Sequence, residues 1–135
     1  MLIVDSSAWI DFFAPHAAVH RPHVDALRLA LLSDQVIGLP DVVRLEVLSG
    51  VRDDAMLARI TRAFDALTRV RADDADWDAA AALYRHCRRQ GVTVRSVIDC
   101  LIAQLCLREG ASLLAHDRDF ARIAEHTVLR LDVIV

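Results

Sequence analysis

Acidic residues at four sites stand where a carboxylate needs a reason. Asp5 directly follows the apolar run Leu2-Ile3-Val4, so it ends a strand buried on both faces. An Asp there is also a good helix N-cap, and either role accounts for it alone. Glu46 falls between Val42 and Val43 on a helical wheel, with Val47 beyond, inside an apolar arc that turns it toward the core. A carboxylate on that side is costly unless it is paired or binds a metal; a salt bridge to an arginine is the plainer alternative. Asp99 closes Ser96-Val97-Ile98-Asp99, which has the pattern of a capping box at a helix start. The cap explains an Asp without any function. It does not explain why the helix it opens is so apolar that its start must be enclosed. Asp117 and Asp119 follow the run Ser112-Leu113-Leu114-Ala115, where Asp is also ordinary turn chemistry.

Taken together, the four positions point to one place. Asp5 and Asp117 end strands, Asp99 begins a helix and Glu46 lies on the helix after the second strand. In a parallel sheet three of these lie on one edge and the fourth can lean over it. Carboxylates gathered there repel one another unless a divalent cation neutralises them. All-oxygen ligation favours Mg²⁺ or Mn²⁺ over zinc, and such a cage supports metal-assisted hydrolysis of phosphodiesters by an activated water.

The elements that must position these residues alternate. Leu2 to Val4 reads as a strand, followed by a short helix through Trp9, Ile10, Phe12 and Phe13 that stops before Pro15. Residues 22–33 are helical. Val36 to Leu39 form a second strand, ended by Pro40, and Asp41 to Ser49 a helix stopped by Gly50. Helices follow near 54–66 and 74–89, with a short strand from Thr68 to Arg71 between them. Ser96 opens a helix running to about Arg108 and stopped at Gly110. Ser112 to Ala115 is a third strong strand, and a short helix and a last strand, Leu131 to Val135, complete the chain. The expected fold is α/β, a single domain over residues 1–135 with a mostly parallel sheet sandwiched between helices, its functional groups beyond the carboxyl ends of the strands.

The composition removes several chemistries. The 135 residues contain no lysine and no asparagine, which excludes Schiff-base chemistry, a P-loop lysine and a lysine general base. A receiver domain needs a lysine near its last strand. A dehalogenase-type phosphatase needs an Asp where Ser7 stands. The hydrophobic fraction of 55% and mean hydropathy of +0.31 exclude a disordered chain. Charged residues break every apolar run short of a membrane span, and Met1 to Asp5 carries no leader signature, so a cytoplasmic protein is expected. Cys87, Cys100 and Cys106 form no C-x-x-C pair and read as reduced, buried thiols.

The ordered set of motifs resembles a known family. Leu2-Ile3-Val4-Asp5-Ser6-Ser7-Ala8-Trp9-Ile10 resembles the opening of a PIN domain. Glu46 within Leu45-Glu46-Val47-Leu48-Ser49-Gly50, Asp99 within Ile98-Asp99-Cys100-Leu101-Ile102-Ala103, and the block Leu113-Leu114-Ala115-His116-Asp117-Arg118-Asp119-Phe120 match its later acidic positions. At this length the chain is similar to the VapC-type ribonuclease toxins of VapBC toxin–antitoxin pairs. That resemblance implies a PIN-type α/β/α sandwich and RNA cleavage dependent on Mg²⁺ or Mn²⁺, leaving 5′-phosphate and 3′-hydroxyl ends. It also implies a small VapB-type antitoxin as partner. It implies Asp5 and Asp99 as principal metal ligands, Glu46 and Asp117 completing the cage directly or through water, and Ser6 and Asp119 in outer positions. A DNA nuclease with the same site, or an inactive adaptor of PIN type, remains open on the residues alone.

Three further features bear on partners. Arg85, Arg88, Arg89 and Arg95 lie in a stretch without acids and read equally as a solvated helix end or as contacts to RNA phosphates. Removing the four proposed ligand charges from the net −3 leaves +1, so the acidity does not argue against RNA. The crowded aromatics Trp9, Phe12 and Phe13 and the stripe Leu57, Ile60, Phe64 and Leu67 are expected to supply a homodimer face and a groove for an antitoxin segment, unless both are simply core. His16, His20 and His23 are read as an exposed loop rather than a zinc site, because Pro22 interrupts any helix that would align them.

Overall fold

A computed structural model describes residues 1–14 and 21–132 of the chain. Among them are five strands, β1 (Leu2–Val4), β2 (Ile37–Pro40), β3 (Thr68–Val70), β4 (Ser112–Leu114) and β5 (Arg130–Leu131), and seven helices, α1 (Ser6–Phe13), α2 (Pro22–Leu32), α3 (Asp41–Ser49), α4 (Asp54–Asp65), α5 (Asp74–Arg89), α6 (Val97–Glu109) and α7 (Arg118–Ala124). The last strand begins at Arg130, and the expected continuation over 133–135 lies outside the described residues, as do His16 and His20. The sheet runs β3-β2-β1-β4-β5, and every described pairing is parallel.

The strand order follows from burial and handedness. Leu2, Ile3 and Val4 are fully buried because β1 has a strand on each side and helices on each face. From β1 the chain steps to β2 and then β3 in one direction, then returns through α5 and α6 to β4 on the other side of β1. Right-handed crossovers put helices from opposite steps on opposite faces. The packing agrees: α1 contacts α2 and α3, and α3 contacts α4, while α5 packs on α6 and α6 on α7. The result is an α/β/α sandwich. The direction reverses beside β1, so a crevice opens beyond the carboxyl ends of β1 and β4.

Two glycines are required by geometry. A Cβ on Gly38 would lie 2.8 Å from Met1 Sδ and 2.9 Å from Val70 Cγ2, so any larger residue would force the side chains around β2 to shift. Gly110 ends α6 at φ 61°, a left-handed cap that glycine adopts without strain. Cys100, Leu101, Ile102, Ala103, Leu105 and Cys106 of α6 are all buried, so this helix is enclosed as its sequence demands. All three cysteines are free and buried.

The two aromatic and apolar stripes turn inward. Trp9 is 1% exposed and packs edge-on against Phe64 at 5.1 Å between ring centroids. Phe12, Phe13 and Leu67 are half-buried against the core, Ile60 and Phe64 are buried, and Ile10 and Leu57 are exposed. Neither stripe is the continuous open face expected for a partner, because the two turn toward each other in one helical layer, Trp9 against Phe64. No helix among the described residues is long and apolar enough to cross a membrane.

Candidate active site

Asp5 sits at the carboxyl end of β1 and extends the ladder, its N–H donating to the Leu114 carbonyl at 2.9 Å. Its side chain caps α1, accepting from the Ser7 N–H at 3.0 Å and from the Ser7 hydroxyl. The same Ser7 oxygen accepts the His116 N–H at 2.9 Å. One serine thus ties the ends of β1 and β4 across the crevice, and it fixes the Asp5 carboxylate while doing so. Capping and a site role coexist in Asp5. Its carboxyl is 4% exposed, and burial pushes its pKa upward against the Ser7 hydrogen bonds, with the Asp117 charge adding to the rise.

Asp99 stands in the first turn of α6. Ser96 caps that helix by accepting from the Ile98 N–H, one residue short of the position a capping box uses, so the box does not account for the Asp99 side chain. The carboxylate oxygens of Asp99, Asp117 and Asp119 lie within 4.8 Å of one another. Burial, followed by the charges of Asp5, Asp117, Asp119 and Glu46, pushes the Asp99 pKa to about 7. Burial first and like charges second disfavour the ionised form there, a cost that a bound cation would relieve. An all-carboxylate donor set fits a hard divalent cation.

Asp117 caps α7, accepting from the Asp119 N–H at 2.9 Å, and receives an Arg95 guanidinium N–H at 2.9 Å. Asp119 accepts both the backbone N–H and the Nε–H of Arg95. Burial raises the Asp119 pKa, but the Arg95 bonds and charge outweigh it and leave the group below its ordinary range. Asp119, expected in an outer position, is therefore a buried anion whose nearest cation is Arg95. Arg95 in turn engages carboxylates rather than standing free in a basic patch.

Glu46 departs from its expected orientation. It is exposed rather than turned into the core. Only Val43 and Val47 of α3 are buried, while Leu45 is 68% exposed. The buried arc is therefore narrower than the apolar arc drawn on the wheel, and Glu46 falls on its rim. There it stays within electrostatic reach of Asp5: partial burial and the Asp5 charge raise its pKa, and a hydrogen bond with Ser6 lowers it. Arg85, Arg88 and Arg89 are exposed on the last half of α5, where Arg88 lies over the Tyr84 ring at 5.8 Å. Because α5 runs antiparallel to α6, with Asp76 at its start bonded to Gln104 and Arg108 and Tyr84 beside Ile98, these arginines sit toward the same end as Asp99. Asp76 is as buried as Asp5, but its capping box and Arg108 satisfy it fully.

Ser7, His23 and His116 were not singled out as site residues by the sequence. His23 is 1% exposed on α2, not in an open loop, with Nε2 2.7 Å from Asp11 Oδ2. Its ring stacks on that of His116 at 4.2 Å, the planes 4° apart. Donor atoms of Asp11, His23 and His116 also lie within 4.8 Å of one another. A metal must lie in the plane of each imidazole that binds it, however, and parallel stacked rings cannot both point at one ion.

Comparison with known proteins gives the same architecture. The family model of the PIN domain matches residues 2–126. The chain is 38% identical over 131 residues to ribonuclease VapC11 of Mycobacterium tuberculosis, covering 96% of both chains. A VapC ribonuclease of Mycobacterium bovis is similar to the same extent. Among solved structures, VapBC2 from Rickettsia felis, bound to a DNA fragment from its promoter, superposes with a TM-score of 0.76 at 14% identity. That match covers 97% of this chain and 96% of the other.

Proposed function

The chain belongs to the PIN domain family, in its VapC group, and from that premise we propose that it is a divalent-cation-dependent endoribonuclease, the toxin member of a type II toxin–antitoxin pair. The observation that carries this reading is the strained cluster at the switch point of the sheet, where Asp99 is pushed to about 7 by burial and four neighbouring carboxylates. Mycobacterial relatives bearing the name ribonuclease support RNA as the substrate.

Asp5 and Asp99 would be the principal ligands of Mg²⁺ or Mn²⁺, with Glu46 and Asp117 completing the cage directly or through water. When bound, the cation supplies Lewis-acid activation of water and charge neutralisation at the leaving oxygen. The chain's own residues do the rest. Ser7 holds Asp5 in one orientation, so its carboxylate is preorganised. Arg95 aligns Asp117 and Asp119 and keeps Asp119 ionised. Asp99 gives up its proton as the site loads. Glu46 lies on the exposed rim beside Ser6, and Arg85, Arg88, Arg89 and Arg95 are the nearby cations for the RNA backbone. The reading includes a homodimer, a small VapB-type antitoxin as inhibitor and a cytoplasmic location. The antitoxin partner is supported by the VapBC name of the structural neighbour.

The test is cleavage of a panel of cellular RNAs with Mg²⁺, with Mn²⁺ and in EDTA, with the fragment ends sequenced. Cleavage at defined sites with either cation and none in EDTA is expected. Equal cleavage in EDTA, or cleavage of DNA and not RNA, would refute the reading.

A further inference from the structure

Beside the carboxylate cluster lies a cavity of about 480 Å³ lined by Arg95, His116, Asp117 and Arg118. We propose that this cavity seats a backbone phosphate of the RNA next to the one that is cut. The proposal rests on the ribonuclease reading and adds a subsite to it.

Three observations carry it. The first is charge. Two guanidiniums and one carboxylate line the cavity; Arg95 is matched by Asp117 at 2.9 Å and by Asp119 behind it at 3.1 Å, which leaves Arg118 as the cation of the wall. Arg118 is exposed and makes no ion pair among the described residues, so the wall offers an uncommitted cation beside an acidic centre. The second is preorganisation. Arg95 is fixed along one edge by Asp117 and Asp119 while its side chain stays 73% exposed. Two of its five N–H groups are used there, leaving the others for another acceptor. The third is the buried brace behind His116. An ionised carboxylate only accepts, so the bond to Asp11 puts a proton on His23 Nε2. Arg21 holds the same Asp11 oxygen at 2.8 Å, and the fixed His23 ring lies flat against His116. The His116 backbone N–H is held by Ser7, so ring and backbone of this wall residue are both constrained.

Position selects the occupant. Asp117 belongs both to the carboxylate cluster and to the cavity lining, so the two spaces adjoin. A strand whose scissile phosphate lies at the carboxylates must put a neighbouring phosphate nearby, and arginines with an imidazole are the usual partners for it. His23 and Asp11 are then positioning residues, acting through His116.

Affinity for a short single-stranded RNA is measured by fluorescence anisotropy in EDTA across a range of salt concentrations. The proteins are the wild type, R118Q and, as a charge control on α4 in the other helical layer, R59Q. R118Q is expected to weaken binding about tenfold and to lower the slope of log affinity against log salt by about one, with R59Q leaving both unchanged. An unchanged slope in R118Q, or the same change in R59Q, overturns the proposal. A methylphosphonate at a linkage flanking the cut should slow the wild type about tenfold and R118Q no further, since the charge partner is already gone. Penalties that multiply put Arg118 elsewhere. Binding without metal reads the seat apart from the chemistry, so failure here leaves the cleavage test standing, and failure to cleave leaves this result standing.

Discussion

Asp99→Asn is expected to lower RNA cleavage by at least about a thousandfold while making the metal-free protein more stable at pH 8. The first effect follows from losing a principal ligand, since the cation's charge stabilisation is worth several kcal/mol, about a factor of ten for each 1.4. The second follows from the same carboxylate's surroundings. Burial and the neighbouring acids raise Asp99 in the folded state from an ordinary 3.8 to about 7. Between these values the folded chain holds a proton that the unfolded chain has released, so stability falls as pH rises through that window and levels off above about 7. Asn keeps the shape and removes the charge. The group is partly open to solvent, which screens the repulsion, so the gain at pH 8 is discounted to about 1 kcal/mol, roughly 3–5 °C in melting temperature. Thermal melts in EDTA should show it at pH 8 and show it shrinking as pH falls toward 4. A variant that melts lower than wild type at pH 8 and still cleaves RNA would contradict both halves.

Affinity for Mn²⁺ should fall about tenfold for each pH unit below about 7 and be nearly flat above it. A cation can take up Asp99 only after its proton leaves, and that proton is held at about 7 by burial first and by the neighbouring charges second. Asp5 and Glu46 are raised as well, and because the groups are coupled the proton release belongs to the cluster as a whole. Asp119 does not join in, since Arg95 keeps it ionised. Isothermal titration between pH 5.5 and 8.5, in buffers of differing ionisation enthalpy, would read both affinity and protons released. A pH-independent affinity over that range would mean that the cation binds somewhere other than at Asp99.

The parts of the fold and site that were legible in the sequence are those set by local pattern. Leu2-Ile3-Val4 could only be a strand buried on both sides, which put Asp5 at its carboxyl end. The strongly apolar stretch of α6 required enclosure, which put Asp99 at its partly buried start. What escaped depends on packing between distant segments. Glu46 was placed by a wheel whose apolar arc included Val42, but a short helix buries only what its neighbours cover, Val43 and Val47. His23 and His116 are far apart in the chain and meet only because α2 and the end of β4 border the same crevice. Arg95 read as part of a basic run, yet its role is set by two carboxylates beyond the next helix. Ser7 carried a usable signal: a serine two residues after a strand-ending Asp can donate both its N–H and its hydroxyl to that Asp. The aromatic stripes illustrate the converse, since helical spacing marks a covered face without saying whether sheet or partner covers it.

The mechanism stands or falls with a divalent cation bound among Asp5, Glu46, Asp99 and Asp117. Anomalous diffraction from crystals soaked in Mn²⁺ tests it most directly. A peak is expected within coordination distance of Asp99 and of Asp5 or Asp117, lost in crystals of Asp99→Asn. A peak only at Asp11, His23 and His116, or one that persists at the carboxylates without Asp99, would contradict it.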